Sequence, residues 1–160
     1  MIYIQLIGLL AFCILVLSFY KKNTVTILIY QITSNFAYAV HYFLLGGLSG
    51  AFCSAISMIR NVIFIKTKSK IIIPVFIVFY LIVTIVFYEN IYSLFPMMAN
   101  SSYMICMIFN TRKHLLVGGI INSTLWLLYS IFVLSYAGII TESIVIISNT
   151  IQLIRLRKKS

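Results

Sequence analysis

Eleven of the twelve lysines and arginines fall in four short clusters, and between the clusters the chain is apolar over lengths that can cross a bilayer. The clusters are Lys21 and Lys22; Lys66, Lys68 and Lys70; Arg112 and Lys113; and Arg155, Arg157, Lys158 and Lys159. Only Arg60 stands inside an apolar run. A water-soluble domain carries roughly a quarter charged residues, whereas this chain of 160 residues is 9% charged and 62% hydrophobic, with a mean hydropathy of +1.11. Its only acidic residues are Glu89 and Glu142. So little polar surface cannot cover a soluble core, and the lipid bilayer is the first partner the sequence predicts. The net charge of +10 does not read as a nucleic-acid footprint, because the cations mark loops instead of forming a continuous basic face.

Apolar runs of about 17–25 residues give seven spans: 3–20, 24–46, 48–66, 71–88, 91–109, 114–136 and 138–155. The fold class expected is therefore an all-α membrane protein with seven transmembrane helices. The long continuous runs lack the two-residue alternation of a membrane barrel. The links are marked by Lys-Lys-Asn, Gly46-Gly47, Glu89-Asn90 and Asn110-Thr111. Loops one–two, three–four and five–six and the C-terminal tail hold the clustered cations, and the other loops hold none. By the positive-inside rule the N-terminus lies outside and the C-terminus is cytoplasmic. No basic region and small-residue cleavage site frame the first run as a cleavable signal. Cys13, Cys53 and Cys106 stand singly in apolar segments, which predicts packing residues and no metal site or disulfide framework.

Sliding the chain along itself by 88 residues aligns spans two and three with spans six and seven without a gap. Gly50 falls on Gly138, Asn61 on Asn149 and Tyr38 on Trp126. The expected organisation is two parallel triple-helix units, 1–70 and 90–160, joined by a linker transmembrane helix at 71–89, a 3+1+3 layout with the basic tail closing the second unit. The second unit keeps the orientation of the first, as in parallel repeats related by an axis along the membrane normal.

Helix rise places the polar residues in depth. Asn149 lies eleven residues below Gly138, about 16 Å at 1.5 Å per residue, near the middle of a core about 30 Å thick. Asn61 is equally deep below Gly50. Tyr38 and Trp126 reach that level from the neighbouring helix. Two roles fit these four: a pocket in which ring faces and amides hold a small polar solute, or amides bonded across helices as packing contacts. Glu142 is the only carboxylate inside a span, and His41 lies in the outer part of span two. As ionisable groups in the bilayer they are candidates for proton coupling, acting as a pair, unless an outer vestibule simply hydrates them. Arg60 either snorkels to the cytoplasmic face or serves as an anion site or cytoplasmic gate. Gln31, Asn35, Asn100, Asn122 and Gln152 add polar groups whose facing the sequence leaves open. No Ser/His/Asp ordering, metal-spaced cluster, paired carboxylates or phosphate loop is present, so no enzyme and no cofactor are expected.

The stretch from His41 through Gly46, then Ala55-Ile-Ser-Met-Ile-Arg60, resembles the signature of the bacterial inner-membrane YgjV family. Leu94-Phe-Pro96, Trp126, Thr141-Glu142 and the segment from Asn149 to Arg155 continue that resemblance over nearly the whole chain. It implies a multi-pass protein of a bacterial plasma (inner) membrane, with no activity attached. More distantly, the 3+1+3 layout, the aromatic on the second helix of each unit and the asparagine on the third are similar to the SWEET and SemiSWEET transporters of the PQ-loop group. That similarity implies a central substrate pocket lined by those residues. This sequence lacks the Pro-Gln dipeptide and the four matched prolines of the gating helices. Pro96 is the only proline in a corresponding helix, so the hinge does not carry over. Two functions follow: a small transporter or facilitator of a polar solute, or a non-transporting accessory or scaffold protein. They differ in whether Tyr38, Asn61, Trp126 and Asn149 share a cavity. A homo-oligomer is compatible with either.

Overall fold

The computed structural model is all-helical and describes residues 1–21, 23–67, 69, 71–109 and 111–158. Among the described residues seven α-helices follow one another: α1 (Ile2–Phe19), α2 (Thr24–Leu44), α3 (Leu48–Lys66), α4 (Ile72–Val86), α5 (Leu94–Ile108), α6 (Arg112–Phe132) and α7 (Tyr136–Arg157). A single 3-10 turn, Ile91–Ser93, leads into α5. Each helix occupies one of the seven expected runs. Lys22, Lys68, Lys70 and Lys159 of the basic clusters, and Asn110 of the expected link, lie outside the described residues. Side-chain caps start three helices where the sequence supplies them. Asn23 accepts from the Val25 amide at 2.9 Å, Thr111 from the His114 amide at 3.4 Å and Ser135 from the Gly138 amide at 3.0 Å.

Polarity is reversed relative to a soluble fold. Ile2, Ile82, Val86, Phe132 and Ile147 are exposed, while His41, Ser49, Asn61, Ser130 and Ser135 are buried. That distribution suits a chain solvated by lipid, whose polar groups must find partners within the protein. By length and hydropathy, α3, α6, α7 and the continuous segment Ile91–Ile108 are each able to cross a membrane. Ile2–Ser18 and Ile72–Val86 are apolar but shorter. The 21 residues of α2 include a polar stripe, among it Gln31 and Asn35, that faces a cavity.

Two differences from the sequence reading bear on the site. Span six ends at Phe132, not 136, and residues 133–135 form the turn. Span seven begins at Tyr136, not 138, so that Gly138, like Gly50 in α3, falls inside the first turn of its helix. The reason for a glycine there is close approach: a Cβ on Gly50 would collide with the ring of Tyr129, and one on Gly138 with the hydroxyl of Ser130. The turn itself is made by a residue in the left-handed region, Gly46 at φ 82° after α2 and Leu134 at φ 55° after α6. Pro96 sits in the first turn of α5, where its missing N–H interrupts no helical hydrogen bond.

In the bundle α2 packs between α1 and α3, and α6 between α5 and α7. The seams between these sets are α1 against α7 and α3 against α5, and α4 lies against α3 and α5. The helix boundaries recur at the offset of 88 residues: α2 and α6 share both ends, and α3 and α7 share their start.

Candidate functional site

A cavity of about 460 Å³ opens among α2, α3, α6 and α7. Tyr38 on α2, Asn61 on α3, Trp126 on α6 and Asn149 on α7 all line it. Arg60 and Glu142 line it too. So do the five residues whose facing was open in the sequence, Gln31, Asn35, Asn100, Asn122 and Gln152. On α2 the lining positions 31, 34, 35, 38 and 42 follow the 3.6-residue period of one helix face. On α6 the same face presents Gly119, Ser123 and Trp126. Gly119 is needed where it stands, since a Cβ would come within 2.6 Å of the Asn149 side-chain nitrogen.

At the end nearest the turns 45–47 and 133–135, the cavity is closed by rings. Tyr42 stacks on Trp126 with centroids 5.4 Å apart, and Tyr129 meets Tyr42 at 5.5 Å and Trp126 edge-on at 5.7 Å. Buried hydrogen bonds stitch the four helix ends around this plug. The Tyr129 hydroxyl accepts from the Gly50 amide at 2.9 Å and from the Ser49 hydroxyl at 3.3 Å, tying α6 to the start of α3. His41 ties α2 to the start of α7 through Ser135 at 2.7 Å. The other imidazole nitrogen, Nδ1, is 2.8 Å from the carbonyl of Ile4, which can only accept. The neutral ring therefore carries its proton on Nδ1, and Nε2 accepts from the Ser135 hydroxyl. His41 and Tyr129 stand 88 residues apart, as do Tyr42 and Ser130, which bond each other at 3.0 Å. Deeper in, Thr141 donates to the Ala137 carbonyl at 2.7 Å and so accepts from Tyr38, also at 2.7 Å.

At the opposite end lie Arg112, exposed at the start of α6, and Gln152, its partner at 3.4 Å. Arg60 is bonded to α3 and α4. Its Nε and Nη2 donate to Asn61 Oδ1 at 3.3 and 3.2 Å, and Nη1 donates to the Tyr80 hydroxyl at 3.5 Å. Tyr80 on α4 also meets the Ser57 hydroxyl at 2.9 Å, and Ser57 donates to Asn100 at 3.2 Å. α4 thus supplies the far wall of the arginine site.

The expected pairing of His41 with Glu142 is not among the contacts of the described residues. Both imidazole nitrogens are occupied elsewhere, and Glu142 has the Ser123 hydroxyl as its hydrogen-bond partner. Glu142 lines the cavity; His41 belongs to the closed end. Tyr42, Ser123 and Arg112 were missed as cavity residues. The first two stand four and three residues from Tyr38 and Trp126, a helical spacing that marks the same face.

A family model described as a bacterial inner membrane protein matches residues 2–160. No curated protein and no solved structure matches the chain.

Proposed function

The chain belongs to the Imp-YgjV family of bacterial inner membrane proteins, and from that membership and the cavity we propose that it is a small transporter or facilitator of a polar solute. The observation that carries the reading is the convergence of Tyr38, Asn61, Trp126 and Asn149 on one cavity that rings close at one end. A protein whose amides only glued helices together would bury them against one another. Here Asn149 lines a space large enough for a solute, and Asn61 lines the same space although it is buried and also bonds Gln31 on α2 at 3.5 Å.

The working parts are two triple-helix units, α1–α3 and α5–α7, with α4 returning the chain so that both point the same way. Support comes from the helix boundaries repeated at 88 residues, from left-handed turn residues at 46 and 134, and from seams that pair the first helix of each unit with the third helix of the other. Rocking about the seam would separate His41 from Ser135 and Tyr129 from Gly50, opening the plugged end while the basic end narrows. The basic end is cytoplasmic, since Lys21, Lys66, Arg112 and Arg155 gather there. Glu142, the carboxylate of the cavity, is the group able to exchange a proton with it. No bond-breaking chemistry is assigned to the site.

The test is accessibility. In a chain with Cys13, Cys53 and Cys106 replaced by alanine, Asn149→Cys should react with an impermeant maleimide from the cytoplasmic face of oriented vesicles. Adding Tyr129→Phe with His41→Gln should extend that reactivity to the outer face. Labelling confined to one face in every variant would favour the non-transporting scaffold.

A further inference from the structure

We propose that the cavity takes a zwitterion of amino-acid size, with its carboxylate on Arg60 and its ammonium group on Glu142. The proposal rests on the transporter reading of the same cavity and adds the substrate class.

Arg60 and Glu142 both line this cavity from within their helices, and the partners of each are neutral. Arg60 bonds an amide oxygen and a phenol. Of its five N–H groups three are engaged, by Asn61 and Tyr80, and two remain for a ligand. Glu142 has a serine hydroxyl, which leaves acceptor positions on its carboxylate. An unpaired charge in the bilayer interior is costly, and a bound counter-charge removes that cost. A plain anion would satisfy Arg60 and leave Glu142 opposed to it. A plain cation would do the reverse. A neutral polyol would leave both charges without a partner. A ligand carrying both signs completes the site without a proton on Glu142.

The spacing fits a compact ligand. Tyr80 holds the guanidinium back toward Ser57, with which it also bonds. Ser57 is nine residues into α3 and Glu142 six into α7, and both helices begin at the plugged end. The axial offset from Glu142 is about 4–5 Å at the level of Ser57 and about 9 Å at the Arg60 backbone, at 1.5 Å per residue. The amides of Asn61 and Asn149 lie on the basic side of both charges, each thirteen residues into its helix, and the face of Trp126 lies at the level of Glu142, beside the ammonium end, where a ring favours a cation.

The experiment is a thermal shift on the purified full chain with glycine, β-alanine and γ-aminobutyrate as probes. Propionate, propylamine and glucose serve as the matched carboxylate, amine and uncharged polyol. At least one zwitterion should raise the melting temperature by about 5 °C near a hundredfold excess over Kd. Propionate and propylamine should bind at least tenfold more weakly. Arg60→Gln and Glu142→Gln should each weaken the zwitterion at least tenfold, and Arg60→Lys should retain binding through its charge. Where a glutamine variant melts too low to measure, Arg60→Lys and Glu142→Asp report instead, by a change in the preferred probe length. Propionate binding as tightly as β-alanine would overturn the role of Glu142. A shift with glucose and none with the zwitterions would overturn the proposal and keep the transporter. Silence from every probe would remove both.

Discussion

Leu134 holds a left-handed backbone at φ 55° where the equivalent turn has Gly46. An L-residue pays about 1–2 kcal/mol for that region, and the exposed Leu134 side chain recovers little of it by packing. Leu134→Gly should therefore raise stability by about 1 kcal/mol, seen as a higher melting temperature in detergent. Nearby, Tyr129→Phe leaves the buried Gly50 amide without its acceptor, a loss of about 1–3 kcal/mol, and should lower that temperature. Gly50→Ala fails differently, by driving a methyl group into the Tyr129 ring. It should cost about as much as overpacking elsewhere, about 1–3 kcal/mol. The combination Gly50→Ala with Tyr129→Phe should be clearly non-additive, because the two residues share one contact.

Among the helices, the apolar runs made all seven visible before any coordinates; Tyr38, Asn61, Trp126 and Asn149 line one cavity, but not at the single depth expected, since Tyr38 and Trp126 stand six residues from the plugged end of their helices and Asn61 and Asn149 thirteen. What stayed hidden has physical reasons. The turn at 133–135 carries no glycine or proline, and a leucine in the left-handed region announces nothing in a sequence. Gly138 drew the boundary to itself, although it is there for contact with Ser130. The partner of His41 is the carbonyl of Ile4 on α1, and every residue has a carbonyl, so no pattern could point to it. Glu142 and His41 share a depth range but not a helix face, and faces are what a single sequence resolves worst among apolar neighbours. Pro96 is the only proline in a helix that corresponds to a gating helix. Placed in the first turn of α5, it should be replaceable: Pro96→Ala should change stability by less than about 1 kcal/mol and leave labelling at Asn149→Cys unchanged.

Across the whole molecule, the proposed 3+1+3 arrangement makes two checkable claims. Reporter fusions should place the C-terminal tail in the cytoplasm, and a tail found outside would reverse the assignment of the two ends. An experimental structure should superpose α1–α3 on α5–α7 by rotation about an axis near the membrane normal; an in-plane axis would disqualify the two-unit mechanism. On that arrangement the hydrogen bond between Tyr42 and Ser130, residues 88 apart, falls on the axis itself. Two copies of one residue meeting there would be two phenols in collision or two hydroxymethyls with a gap between them. The chain has instead a large partner and a small one, which is a lock and its key and not a handshake. The halves are thereby committed to each other. Neither can be doubled to make a working pair, and a chain carrying Tyr42→Ser together with Ser130→Tyr should fold where either change alone does not.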